Sequence, residues 1–294
     1  MLCLHHLDAD GYCSAAALRY FLEPANIVPT FIECNYNNNL DAVLDEVKID
    51  EPVYILDYSL PTIDYWQKLL NKTKTVIWID HHVSAIKLAT SNDIVNNLAG
   101  FRTVGRAACE LTWEYLFPGK SMPEIIKFVG DYDVGSIKHG VTSRQVHFGL
   151  KLFDTKPCDE LGYKNWVKWF TCMACLKHVQ HQGTIALSYI EKTIIQVLKN
   201  YAFYSEMDGF KILCCNLVER NTVSFDSVPQ EKYDILAPFT CDGQSFTVTL
   251  FTNRDDIDCS LIAKKFGGGG HPKASGFHCI ELPFKFIKPF TERK

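Results

Sequence analysis

His6, Asp8 and Asp10 alternate along the segment HLDADG, directly after a short apolar run. In extended chain a period of two places all three on one side. An imidazole with two carboxylates is a donor set for one or two divalent cations. A turn in which Asp10 caps the next helix also accounts for Asp10 and Gly11, but it leaves His6 and Asp8 unexplained. Two further apolar runs end on acids: PVYILD at Asp57, and TVIWID at Asp80, which continues into His81 and His82. Taken alone, Asp57 reads equally well as a turn or capping residue. Strands that all deliver acids or imidazoles at their carboxyl ends point instead to a ligand site, because that edge is where open parallel sheets bind. A fourth segment, PEIIKFVG followed by DYDV, offers Asp131 or Asp133 beyond a glycine that reads as a helix C-cap. Two cations about 3.5–4 Å apart can share one carboxylate, acidify a common water as nucleophile and neutralise charge on phosphoryl oxygens. His82 is placed to assist a non-bridging or leaving oxygen.

The elements that must position these groups follow from the apolar pattern. Strands are expected at Leu2 to His6, Ile27 to Glu33, Pro52 to Asp57 and Thr75 to Asp80. Helices are expected near Tyr12 to Phe21, Asn39 to Val47, Thr62 to Asn71, Gly105 to Phe117 and Pro123 to Gly130. That alternation implies an α/β fold, a mainly parallel sheet with helices on both faces. From Asn165 to about Ala202 the spacing turns helical and reads as a connector. Beyond it, FKILCCNLV, YDILAPFT and SFTVTLFTN are strand-like, with DG turn signals at Asp208 and Asp242. The expected organisation is a catalytic domain over 1–160, a helical connector over 161–204 and a smaller α/β domain over 205–294.

In that second domain four consecutive glycines, Gly267, Gly268, Gly269 and Gly270, follow the helical segment CSLIAKKF and precede His271, Lys273 and Ser275. Glycine freedom lets several backbone N–H groups converge on an anion, so the run reads as a phosphate or nucleotide cradle. A flexible surface loop is the alternative.

The composition limits the partners. With 30 Lys plus Arg against 34 Asp plus Glu, the formal charge is −4, too little positive charge to hold long duplex nucleic acid through many phosphate contacts. A short anionic substrate fits better. No apolar run reaches the roughly 18–20 residues that span a bilayer, and LCLHHLD after Met1 lacks a signal-peptide core, so no membrane association and a cytoplasmic location are expected. The twelve cysteines lie mostly in apolar segments and read as buried thiols. Cys172, Cys175, His178 and His181 repeat every third residue, but one straight helix cannot wrap four ligands around one zinc ion, so a helix face is expected.

Taken together, HLDADG, ILDYSL, IDHH and GDYDV resemble, in order, the four motifs of the DHH phosphoesterase superfamily, named for the triplet Asp80-His81-His82. The resemblance implies two divalent ions, usually manganese or magnesium. His6 and Asp8 would hold one, and Asp10, His81 and Asp131 the other, Asp131 being preferred over Asp133 as the first of the pair. Asp57 would bridge them, Asp80 would fix an imidazole, and His82 would face the substrate phosphate. The glycine run resembles the C-terminal DHH-associated domain, in which the residues from Gly267 to His271 would contact substrate and Arg254 the distal phosphate. By that resemblance the chain is expected to be a bilobed hydrolase that cleaves short oligoribonucleotides to mononucleotides. It is similar to the nanoRNase branch, and its opening HLDADG looks closer to type B. Phosphatase action on 3′-phosphoadenosine 5′-phosphate and hydrolysis of linear or cyclic dinucleotides belong to the same class, with a homodimer as a possible assembly. A catalytically silent nucleotide-binding protein is disfavoured, since every ligand position carries a competent side chain.

Overall fold

Short apolar runs bounded by acids become strands in the computed structural model, which describes residues 1–35, 39–136, 138–218 and 228–290. The chain divides into two units, Met1–Leu187 and Ser188–Lys294. In the first unit β1 (Leu2–His6), β2 (Thr30–Cys34), β3 (Val53–Leu56) and β4 (Val76–Ile79) form a parallel sheet in the order β2-β1-β3-β4. The strand order reverses between β1 and β3, and at such a switch point the carboxyl ends open into a crevice. Side-chain alternation divides the core between the two faces. Cys3, Leu56 and Ile79 pack against α1 (Ala9–Leu22) and α6 (Ala108–Leu116) through Ala15, Leu18 and Leu111. Leu4, Ile55 and Trp78 face α2 (Leu40–Asp45), α3 (Ile63–Lys72) and α4 (Val83–Ala89), with the Trp66 ring tilted against Trp78 at 4.8 Å. A short helix, α5 (Asp93–Asn96), follows α4. The expected parallel α/β sheet with helices on both faces is therefore present.

A block of helices flanks this sheet. It comprises α7 (Glu124–Asp133), α8 (Val141–Leu150), α9 (Glu160–Thr171) and the first part of α10 (Met173–Tyr201). Trp166 and Trp169 of α9 share a buried core with Trp113, Ile126 and Val129. Helical structure thus begins well before Asn165. Where α8 meets α10, glycines set the approach. A Cβ added at Gly183 would sit 1.6 Å from the Gln145 carbonyl oxygen, and one at Gly149 would sit 2.2 Å from that of Val179. Overpacking of this kind costs about 1–3 kcal/mol, so Gly183→Ala is expected to lower the free energy of unfolding by that amount and with it the denaturation midpoint. An unchanged midpoint would show that the two helices separate at no cost.

The second unit holds a mixed sheet in the order β11-β5-β6-β7-β8-β10-β9, in which only β6 and β7 run parallel. Its strands are β5 (Phe203–Met207), β6 (Phe210–Asn216), β7 (Ile235–Cys241), β8 (Phe246–Phe251), β9 (Gly269–His271), β10 (Ala274–Cys279) and β11 (Lys288–Pro289). Asp208 and Gly209, at φ 54° and 79°, close the β5–β6 hairpin, the double positive φ that a type I′ turn requires. Ile262 and Ala263 of α11 (Cys259–Lys265) cover one face and Ile194 and Leu198 of α10 the other. Among the described residues no helix is long and apolar enough to cross a membrane.

The glycine run is more ordered than an irregular cradle. Gly267, at φ 75°, ends α11, and the Gly267 and Gly268 amides donate to the carbonyls of Lys264 and Ala263. Gly269 and Gly270 belong to β9, an edge strand paired with β10. A Cβ at Gly268 would lie 2.1 Å from the Gly276 oxygen. The local requirement for glycine here is a helix cap and a close hairpin.

Candidate metal centre

The neighbouring strands β1, β3 and β4 stop at the same level. In register, His5 pairs with Leu56 and Leu56 with Ile79, so Asp57 and Asp80 emerge one residue beyond their strands, beside His6 at the end of β1. Asp57 is held there by its own amide, which donates to Ile79 at 2.9 Å, in a left-handed conformation of φ 55° that Asp tolerates better than most residues. Its carboxylate is 1% exposed, and neither oxygen accepts a hydrogen bond.

Each Asp57 oxygen faces a different group. Oδ2 lies 3.7 Å from His6 Nδ1, which in turn lies 2.6 Å from Asp8 Oδ2. Oδ1 lies 3.3 Å from His81 Nε2, which is also 3.7 Å from Asp10 Oδ2 and 3.4 Å from Asp133 Oδ2. Two metal-type groups result: His6, Asp8 and Asp57, and Asp10, His81 and Asp133, with Asp57 between them. Asp57, His81 and His82 also come within reach of a single ion.

Electrostatics fits a cation-shaped gap. Burial, then the neighbouring charges of Asp10 and Asp8, pushes the Asp57 carboxyl well above the usual range. Burial alone would lower His6, but Asp57 and Asp8 outweigh it and push the imidazole up to about 10. Burial alone would raise Asp8, but His6 and the Gly11 amide hold it at about 2. A buried carboxylate that lacks donors is costly unless it is paired or coordinates a metal. The donor set, carboxylate oxygens with one imidazole in each group and no thiolate, suits manganese or magnesium better than a sulfur-seeking ion.

Capping roles differ from the sequence expectation. Asp8, rather than Asp10, caps α1, its Oδ1 accepting from the Gly11 amide at 2.9 Å. A Cβ on Gly11 would meet the His6 carbonyl oxygen at 2.3 Å, hence glycine at that turn. Asp10 accepts from the Ala108 and Cys109 amides at 2.8 and 2.7 Å, at the start of α6. One ligand is thereby locked to a helix N-terminus that supplies matching partial charge.

The preference for Asp131 is corrected. Gly130 does not end α7; it lies inside the helix, where a Cβ would come within 2.9 Å of Glu110 Cγ and 3.1 Å of Ala107 Cβ. The helix continues through Asp133, and two residues along a helix point about 200° apart. Asp133 therefore turns to His81 while Asp131 turns away. Asp131 is buried and accepts from the Ser136 and Ser143 hydroxyls and from the Lys138 and His139 amides. Burial would raise its pKa, but these donors outweigh it and hold the carboxyl at about 2. Asp131 ties α7 to α8.

Asp80 lies beside an imidazole. Its Oδ1 accepts from the amides of His81 and His82 and lies 2.7 Å from His82 Nδ1. Cys172 closes the start of α10, its sulfur accepting from the Cys175 amide at 3.4 Å. His181 is exposed, and His178 lies beside the Phe153 ring at 6.0 Å. Among the described residues these four form no metal-type group. In the second unit Arg254 is clasped by Asp234 and by Asp256 at 2.6 Å, and Lys273 by Asp255 at 2.8 Å. Ser275 is buried and donates to the His271 carbonyl at 2.6 Å. His271 is exposed on β9.

Carboxylates and imidazoles gathered on a shared aspartate at the ends of a parallel sheet form a donor set suited to divalent cations. Residues 1–130 match the model described as the DHH family, N-terminal domain. An uncharacterized protein, R106, of Acanthamoeba polyphaga mimivirus is 28% identical over 305 positions, covering 96% of this chain and 69% of that protein. Among solved structures, the pGpG-specific phosphodiesterase PggH of Vibrio cholerae superposes with a TM-score of 0.52 at 14% identity. That match covers 95% of this chain and 94% of the other. Exonuclease RecJ bound to manganese superposes at 0.50 with 13% identity, over 94% and 84% of the two chains.

Proposed function

We propose that this chain is a DHH-type phosphoester hydrolase that binds two divalent ions, manganese by preference, and cleaves short oligoribonucleotides to mononucleotides. The observation that carries the reading is the buried, donorless Asp57 carboxylate with one ligand group at each oxygen. Divalent cations bound there supply Lewis-acid charge neutralisation and an acidified water. His6, Asp8 and Asp57 are assigned to one ion, and Asp10, His81, Asp133 and Asp57 to the other. Asp80 fixes the ring of His82 through Nδ1, and His82 is assigned to the substrate phosphate.

The short substrate is supported by the charge balance and by two relatives in fold, a dinucleotide phosphodiesterase and a manganese-bound exonuclease. In the second unit, His271, Lys273 and Arg254, with the Gly267–Gly270 run, are assigned a substrate-binding role. The carboxylate partners of Arg254 and Lys273 form exposed, solvent-screened ion pairs, which a phosphate can replace. Product analysis with manganese tests this on a short RNA, 3′-phosphoadenosine 5′-phosphate and pyrophosphate. Mononucleotides released from the RNA are the expected result, and turnover of pyrophosphate alone defeats the reading.

A further inference from the structure

A cavity of about 340 Å³ opens beside the cation cluster, wholly within the first unit. Ser59, Leu60 and Pro61, from the connection between β3 and α3, line one part of it. Ser84, Ala85 and Leu88 of α4 line another, and Asp80 and His82 complete the wall. The cavity adjoins the ligand groups, since His82 Nδ1 lies 3.9 Å from Asp57 Oδ1.

The chemistry of the wall selects its occupant. Among the described residues no lysine or arginine lines it, whereas a chain of phosphates calls for the charge-assisted donors those residues provide. Asp80 adds a carboxylate, fully buried, whose Oδ2 has no donor, so a second phosphate would meet like charge there. An uncharged group carrying N–H and O–H donors meets the reverse conditions: apolar contact from Leu60, Ala85 and Leu88, and two serine hydroxyls for its polar edge. The volume lies at the small end of ligand pockets, which span roughly 300–1,000 Å³, and suits one nucleoside. We infer that this cavity seats the uncharged nucleoside joined to the scissile phosphate. The inference rests on the phosphoesterase reading in placing that phosphate at Asp57. It makes the substrate a nucleoside ester on this side of the phosphorus and excludes a polyphosphate running into the cavity.

The experiment fills the cavity from its exposed rim. Ser84→Phe is compared with Ser84→Ala and with Leu88→Lys, which introduces a cation. Adenosine binding is measured by equilibrium dialysis without metal, and hydrolysis of the dinucleotide ApA and of pyrophosphate is measured with manganese. Ser84→Phe is expected to weaken adenosine binding and raise the KM for ApA by about tenfold or more, with kcat retained, while Ser84→Ala, which loses one hydroxyl and adds no bulk, shifts both by a smaller factor, that of one lost hydrogen bond. Leu88→Lys is expected to lose adenosine affinity and gain affinity for pyrophosphate. If the parent does not bind adenosine, or if Ser84→Phe and Leu88→Lys bind it as the parent does, the cavity has another role. If adenosine binding responds as expected but ApA is not cleaved, the phosphoesterase reading fails and the nucleoside site stands. Thermal melts of all three variants identify any that fail to fold.

Discussion

Asp57→Asn is expected to abolish hydrolysis while making the metal-free protein more stable. The two effects share one cause. The parent carboxylate is buried, accepts no hydrogen bond and stands among Asp8, Asp10 and Asp133. In chelator this charge costs stability, and an amide of the same shape removes it. Asn also tolerates the left-handed backbone at this position. The gain is about 1–3 kcal/mol, the scale of an unsatisfied buried group. His6 loses one carboxylate partner but keeps Asp8 at 2.6 Å. The pH dependence follows from the sign of the shift. A carboxyl whose folded pKa is raised binds more protons in the folded state, so its contribution to stability falls as pH rises above the unfolded value of about 4. The gap between variant and parent is therefore expected to widen toward neutral pH and close in acid. With manganese the order reverses, because only the parent gains stability from binding. Losing the shared ligand removes several kcal/mol of charge stabilisation, on the order of a 10³-fold fall in kcat. Melting curves with and without manganese, alongside the assay, read both effects. A metal-free Asn variant less stable than the parent would mean that Asp57 is already satisfied in the fold.

Asp131 and Asp133, two residues apart, are expected to give opposite phenotypes. Asp133→Ala removes a ligand from a partly open site, so manganese affinity and kcat fall, by about 10²-fold or more, with little change in stability. Asp131→Ala leaves two serine hydroxyls and two amides without their acceptor. Hydrogen bonds to a charged group contribute about 1.5–3 kcal/mol each, so a loss of about 3 kcal/mol or more is expected, with manganese affinity retained in the folded fraction. Isothermal titration and denaturant melts of both variants separate the roles. Loss of manganese binding in Asp131→Ala with unchanged stability would reverse the assignment.

The parts of the centre that were legible in sequence are those fixed by strand geometry. His6 and Asp8 show through period-two alternation, and Asp57, Asp80 and His81 through their place at the ends of apolar runs, both local signals. The choice between Asp131 and Asp133 depends on helix phase. That phase was obscured by Gly130, whose role is to let α7 approach Glu110 and Ala107 from a segment some distance earlier in the chain. An unbroken helical reading through Val134 is the signal that separates the two acids. Asp10 illustrates a second limit, since its amide partners on α6 lie 98 and 99 residues away. The glycine run shows a third. Glycine demanded by a close hairpin and glycine demanded by an anion look alike until the pairing of β9 with β10 is known.

Anomalous diffraction at the manganese edge, on crystals grown with manganese, tests the shared-aspartate centre most directly. Two peaks are expected, one at His6 and Asp8 and the other at Asp10, His81 and Asp133, with Asp57 bound to both. A single peak that leaves Asp57 uncoordinated, or manganese bound at Asp131, would contradict the two-ion centre.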